Sequence, residues 1–275
     1  MSIALQVALV MVTILVVLLV IGAPIGVAIG MSSAVSMICM IPADVSFATS
    51  AQRIFAGSNS FSLIAIPFFI LAGNIMNNGG IAQRLVNCAK VISGRMPGAL
   101  AQSNVVANML FGAISGSGAA AAAAMGGTIG PLEEKEGYDK NYSTAVNVAS
   151  APVGMLIPPS NTMIVYSSVA GSVSIAALFM AGYIPGLLWG GAVMVLAGIM
   201  AKKRGYQAES RVPLNVALKT LWQAIPSLLL IVIVIGGILG GIFTATEGSA
   251  IAVVYATVLS LIYRAFKIKD IPRIV

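Results

Sequence analysis

MPGALAQSNVVANMLFGAISGSGAAAAAAMGGTIGP, residues 96–131, holds no charged side chain, yet it does not read as one straight helix. Its centre is Ser115-Gly116-Ser117-Gly118, and each Gly in a helix interior costs ~1 kcal/mol against Ala. The six alanines at 119–124 that follow form helix well and carry almost no bulk. Helix, Gly-Ser tip and Ala-faced helix together predict a hairpin with closely packed arms. Backbone groups at the tip lose their helical partners, so the tip must face protein or a water-filled cavity rather than lipid. Free carbonyls and the hydroxyls of Ser115 and Ser117 suit a hard cation such as Na+. The helix start after Ser117 aims N–H groups at an anion. A Gly-Ser kink that serves only close helix contact is the competing reading.

A second interrupted stretch, VNVASAPVGMLIPPSNTMIVYSSVAG at 146–171, carries Pro152, Pro158 and Pro159 with Gly154 between them. Each proline removes a backbone donor and crowds the preceding turn. The helix is expected to unwind over 153–160 and restart, with Ser160 or Asn161 capping the new N-terminus. Ser150, Ser160, Asn161 and Thr162 gather at this break. Discontinuous helices of this kind line cavities and binding sites in membrane proteins.

The rest of the chain agrees with a membrane setting. Of its 275 residues 59% are hydrophobic and only 8% charged, where a soluble domain carries about 25% charged. The surface must therefore face lipid or protein, and the chain reads as an all-α integral membrane protein in the bilayer. There is no His, which excludes Ser-His and Cys-His nucleophile pairs, His metal sites and His proton relays. Cys39 and Cys88 are too few for a disulfide framework and read as small apolar fillers. The net charge of +7 is read as loop Lys and Arg setting orientation, not as nucleic-acid binding. The first basic residue is Arg53, so no cleavable signal peptide is expected.

Apolar runs fall at about 3–21, 23–41, 61–77, 97–131, 141–170, 174–200, 222–243 and 247–263, and ~20 residues suffice to cross the hydrocarbon core. Residues 46–57 and 80–93 are amphipathic and are expected along the membrane surface or braced on neighbouring helices. If 97–131 enters and leaves on one face, the loops 79–97, 131–141, 201–221 and 264–275 share a side and hold 14 of the 15 Lys and Arg. The positive-inside rule then makes the hairpin re-entrant from the cytoplasm and places the N-terminus outside. Glu133, Glu134, Glu136 and Asp139 read as a solvated acidic loop. Glu247, just after Thr244, reads as a helix-start carboxylate.

GAISGSGAAAAAAMGGTIGP (112–131), EGYDKNYSTAV (136–146) and PVGMLIPPSNTMIVYSSVAGSVSIAALFMAGYIPGLL (152–188), with IGAPIGVAIG near the start and GGIFTATEGSAIAVVYA at 240–256, resemble the large membrane subunit of tripartite ATP-independent periplasmic (TRAP) transporters. The resemblance runs over essentially the whole chain. It implies an elevator-type secondary transporter related to divalent-anion/sodium symporters, built from inverted repeats with a hairpin and a discontinuous helix each. Residues 1–95 would supply scaffold and arm helices. Residues 96–200 would form the transport domain: hairpin 96–131, broken helix 141–170 and the helix at 174–200. Residues 201–275 would connect to a second repeat starting near Phe243.

The resemblance further implies a Na+-driven import of organic acids (C4-dicarboxylates, sialic acid or keto sugar acids) across the bacterial inner membrane. The partners it implies are a periplasmic substrate-binding protein and a small four-helix membrane subunit. Carried over by motif, Ser115 and Ser117 would ligate Na+, with backbone carbonyls from Gly154, Ile157 and Pro159. Ser117, Asn161 and Thr162 would face the substrate carboxylate. The Ser160-Asn161-Thr162 triplet also resembles the anion motif of the divalent-anion symporters, which need no binding protein. The second hairpin, broken helix and sodium site of the family pattern are missing here, so the chain reads as a partial one and these 275 residues alone are expected not to transport. A non-transporting membrane scaffold subunit is the rival from another class. No enzyme chemistry is expected, since the membrane segments offer no carboxylate pair and no His.

Overall fold

The computed structural model describes residues 3–171, 173–208 and 213–265, and every regular element among them is helical. Of the basic residues in the expected cytoplasmic loops, Arg211, Lys267, Lys269 and Arg273 lie outside the described residues. The chain forms two compact units, 1–60 and 61–275.

In the first unit, α1 (Ile3–Val20) is apolar but for Gln6 and Thr13 and buries none of its side chains. A turn at Gly22, at φ +88°, leads into α2 (Ile25–Ile38). That helix has 14 residues and so spans about 21 Å, short of a ~30 Å core. The apolar run at 23–41 led to the expectation of a full helical crossing. Pro24 caps the start of α2 and Pro42 the start of the next helix, so only the middle of the run is helical. The amphipathic α3 (Ala43–Ser58) is tied to α2 by the buried Ser46, whose hydroxyl donates to the Ala34 carbonyl at 2.9 Å.

The second unit begins with a 3-10 turn (Phe61–Ile64) running into α4 (Ala65–Asn78), followed by α5 (Ile81–Ser93). Ile81, Leu85 and Cys88 of α5 are buried as their spacing predicted, whereas Ile92 is exposed. This helix braces the helices at Ala99–Ser115 and Leu214–Leu239. Helix α6 (Ala99–Ser115) buries 14 of its 17 residues, which puts it at the centre of the unit. Gly116 and Ser117 link it to α7 (Gly118–Thr128), which packs back on α6, and Gly126 near the end of α7 lines the same cavity as Asn104. The predicted hairpin is therefore present.

The short α8 (Gly130–Lys135) leads to α9 (Lys140–Ser150), α10 (Val153–Leu156) and α11 (Asn161–Ala170). The break is narrower than expected. A helical turn survives at Val153–Leu156 because Pro152 precedes it, where a proline needs no donor. The extended stretch is confined to 157–160. Then come α12 (Ile175–Lys203), α13 (Leu214–Leu239) and α14 (Ala245–Ile262). Thr244 and Glu247 close a reciprocal capping box at the start of α14, as expected of that carboxylate.

Among the described residues five segments are long and apolar enough to cross a membrane: Ile3–Val20, Phe61–Asn78, Ile175–Lys203, Leu214–Leu239 and Ala245–Ile262. The broken pair α9–α11, bent by 47°, makes a sixth. Val20, Ile184, Leu188 and Trp222 are exposed, a pattern that water does not tolerate over many helices and lipid favours.

One expectation fails clearly. Glu133 is not in a solvated loop: it lies within α8 and is 1% exposed. Asp139 has a structural task too, capping α9 through the Tyr142 N–H at 2.9 Å and pairing with Arg204 at 2.9 Å. Continuing the helix past Pro131 turns every third or fourth side chain inward, which a loop reading misses. The two cysteines also differ, since Cys88 is buried as expected and Cys39 is exposed.

Candidate functional site

Two helix ends and two helix starts meet where the hairpin tip touches the broken helix. At the tip, α6 ends at Ser115 because Gly116 turns left-handed at φ +62°. A side chain there would also collide with the Pro159 carbonyl, 2.9 Å from where a Cβ would sit. Ser117 then takes an extended conformation and caps α7, accepting from the Ala120 N–H at 3.3 Å.

The break has its own logic. Prolines at 158 and 159 leave the carbonyls of Gly154 and Met155 without the N–H four residues on. The buried Ser160 hydroxyl takes up the Met155 carbonyl at 2.5 Å. The same residue caps α11, its oxygen accepting from the Met163 N–H at 3.3 Å. Of the two expected caps it is thus Ser160 that serves, with Asn161 as the first helical residue.

The two motifs are joined directly. The Asn161 N–H donates to the Gly116 carbonyl at 3.2 Å, and the Asn161 side-chain amide donates to the Ser115 carbonyl at 3.4 Å. Below the tip, Gly112 and Gly154 face each other so closely that a Cβ on Gly154 would lie 2.7 Å from the Gly112 Cα. From the other side Gly73 of α4 reaches the tip, its would-be Cβ 3.0 Å from the Ser115 Cβ. Trp189 of α12 steadies the break by donating to the Ala149 carbonyl at 2.8 Å.

Ser115, Ser117, Pro159 and Asn161 are therefore brought together, and Gly154 lies against α6 one turn below them. Ile157 is buried with its side chain against Gly186 of α12. Thr162 follows Asn161 on the exposed side of the first turn of α11. Gly73, Gly112, Gly116 and Ser160 also shape the site and were not singled out as site residues from sequence. The signal was present for three of them, as glycines inside apolar runs where only a close backbone approach rewards the missing side chain.

Chemically, the site offers oxygens and helix dipoles at one point. The Ser115 hydroxyl is buried and makes only long contacts, 3.4 Å to the Ser117 carbonyl and 3.5 Å to its N–H. The Asn161 Oδ1 is buried without a partner, a costly state unless a ligand meets it. The Gly154 carbonyl lacks its helical donor. Those groups, with the C-terminal ends of α6 and α10, fit a monovalent hard cation. The starts of α7 and α11 beside them fit an anionic group.

The family model described as "Tripartite ATP-independent periplasmic transporter, DctM component" matches residues 12–275. Protein YgiK of Salmonella typhimurium is 53% identical over 87% of this chain and 56% of its own length. The C4-dicarboxylate TRAP transporter large permease protein DctM of Rhodobacter capsulatus is 38% identical over 82% of the chain and 54% of its own length. The sialic acid TRAP transporter large permease protein SiaM of Vibrio cholerae is 41% identical over 78% of the chain and 50% of its own length. The chain spans about half the length of these relatives. Matched by the family model from residue 12 to residue 275, it belongs to the DctM component family of the tripartite ATP-independent periplasmic (TRAP) transporters.

Proposed function

We propose that this chain carries the first repeat of the large membrane subunit of a Na+-driven importer of organic acids, working with a periplasmic binding protein and a small four-helix membrane subunit. One observation supports it most: two helix starts and two helix ends converge at Ser115–Ser117 and 157–161, where the Asn161 Oδ1 is buried and unmatched. The relatives named for C4-dicarboxylates and sialic acid, both carboxylates, support this choice of substrate class.

Bound Na+ would supply a fixed positive charge beside the substrate carboxylate. Ser115, Ser117 and Asn161 would hold it with the backbone carbonyls of Gly154, Ile157 and Pro159. Ser117, Asn161 and Thr162 would orient the carboxylate at the starts of α7 and α11. The hairpin and broken helix would move together against the remaining helices in elevator fashion. In this reading the protein lies in the bacterial inner membrane with its basic loops in the cytoplasm. The N-terminus is then periplasmic, and α2 with its apolar flanks completes the second crossing.

The test is uptake of labelled organic acids into proteoliposomes holding the full-length subunit and its small partner, with and without a Na+ gradient and the binding protein. Uptake that needs both is the expected result. Na+-driven uptake without the binding protein would move the protein to the direct symporters. A folded complex with no uptake under any condition would leave a scaffold role.

A further inference from the structure

A cavity of about 350 Å³ lies at the other end of the hairpin, lined by Asn104, Glu133, Tyr138, Lys140, Ser143 and Asn147 among others. Asn104 sits 11 residues before Ser115, about 16 Å along α6, and the cavity shares no residue with the hairpin-tip site. Around it three side chains are buried with an atom unmatched: the Asn104 Nδ2, the Glu133 Oε1 and the Ser143 Oγ, on residues 0%, 1% and 8% exposed.

The orientation of Asn104 is dictated by its neighbours. The Asn147 amide donates to the Ala122 carbonyl at 2.9 Å, which makes its Oδ1 an acceptor for the Asn108 Nδ2 at 3.0 Å. The Asn108 Nδ2 also lies 2.8 Å from both the Asn104 Oδ1 and the Ser150 Oγ, so its two hydrogens face three oxygens and the Asn104 atom turned toward it is the acceptor. Asn104, which lines the cavity, is thereby left with a buried Nδ2 donor and no acceptor for it. A carboxylate would have been the natural match, yet no bond joins Asn104 to Glu133. An ionised Glu133 would thus leave a charged Oε1 buried without a hydrogen-bond partner, a state that proteins avoid by neutralising the group.

We propose that Glu133 is a proton-binding site, its carboxyl held neutral between α8, α9 and α6, and that its ionisation draws cavity water between α8 and α9 and loosens that end of the hairpin. The electrostatics are simple on two sides. Helices α6 and α7, which pack on α8, bring no titratable side chain at all. The remaining groups are Glu134 and Lys135 on α8, Glu136, Tyr138 and Asp139 in the connection, and Lys140 and Tyr142 on α9. Arg204 and Tyr206 follow α12, with Tyr206 stacked on Tyr138 at 4.3 Å. Glu209 and Arg211 lie outside the described residues. Arg204 is engaged by Asp139 at 2.9 Å. Burial pushes the Glu133 carboxyl up to about 7, against a smaller opposing pull from Ser143, which lies near without closing a well-formed bond.

Because the folded carboxyl holds its proton more tightly than the unfolded one, its contribution to stability is full below the ordinary Glu range. It is lost as pH rises to about 7. Asp139 titrates in the opposite sense. The Tyr142 N–H first and Arg204 second hold it below the ordinary Asp range, so its contribution disappears only as pH falls.

The test is the thermal unfolding midpoint of the purified chain in detergent, from about pH 5 to about pH 9, for the wild type, Glu133→Gln and Glu134→Gln. The wild-type folding constant should fall by up to about tenfold per pH unit until the pH reaches about 7, then level off. Glu133→Gln should flatten that slope, and Glu134→Gln should keep it. A slope retained in Glu133→Gln, or removed by Glu134→Gln, overturns the proposal. If Glu133→Gln does not fold, the infrared band of a protonated carboxyl decides on the wild type alone. Ordinary carboxyls are ionised by about pH 6, so a band persisting there and vanishing above about 7 is expected. Its absence at about pH 6 refutes the idea.

Discussion

Gly154 and Gly112 show how much of this site is made of atoms that are not there. Each lies against the other's backbone, so neither can take a methyl group without the tip and the broken helix moving apart. Gly154→Ala should lower stability by about 1–3 kcal/mol, the usual range for forcing bulk into a packed contact. It should also weaken Na+-dependent uptake by the full complex. A thermal unfolding curve and an uptake assay on the same preparation check both effects. Ser160 is a second sensitive residue, because its one hydroxyl caps α11 and satisfies the Met155 carbonyl. Ser160→Ala should destabilise by about 1 kcal/mol from the cap alone. Unchanged stability would show that the restart of α11 does not depend on this hydroxyl.

At the scale of elements, the break between α10 and α11 is a consequence of which donors the sequence omits. Pro159→Ala returns an N–H opposite the Met155 carbonyl and competes with the Ser160 hydroxyl for it. The helix should then extend into 157–160 and the carbonyls facing the tip should turn back into its ladder. The expected outcome is a stable, folded protein without the Na+-dependent rise in unfolding temperature expected of the wild-type complex. A variant that kept the full Na+ effect would separate the break from cation binding. Helix α8 makes the contrasting case. Pro131 and its acidic neighbours suggested a loop, and only the continued helical turn carries Glu133 inward. A six-residue helix leaves too little periodicity for the buried face to be read from sequence.

For the molecule as a whole, exposed apolar side chains on α1, α12 and α13 coexist with a second unit whose centre is tightly enclosed. The two cysteines sample these environments, Cys39 exposed and Cys88 buried in α5. Burial also pushes the Cys88 thiol up, which lowers its thiolate fraction. A thiol reagent added to the folded chain in detergent should therefore modify Cys39 and spare Cys88, and denaturation should expose both. Equal labelling of Cys88 in the folded state would mean that α5 does not brace α6 and α13 as described.

Residue types and their order determined the membrane character, the hairpin at 96–131, the broken helix after it and the meeting of small polar residues at both interruptions. These features follow from local rules: lipid excludes charge, glycine ends a helix, and proline withholds a donor. What only the tertiary structure decided was which of these groups are satisfied by one another. That Asn161 bonds to the Ser115 carbonyl yet keeps an unmatched oxygen, and that Asn104, Asn108 and Asn147 form one hydrogen-bonded chain beside a cavity, depends on residues up to 46 positions apart. So does the fate of Glu133, whose charge state is set by how three helices enclose it and not by the acidic segment in which it is written.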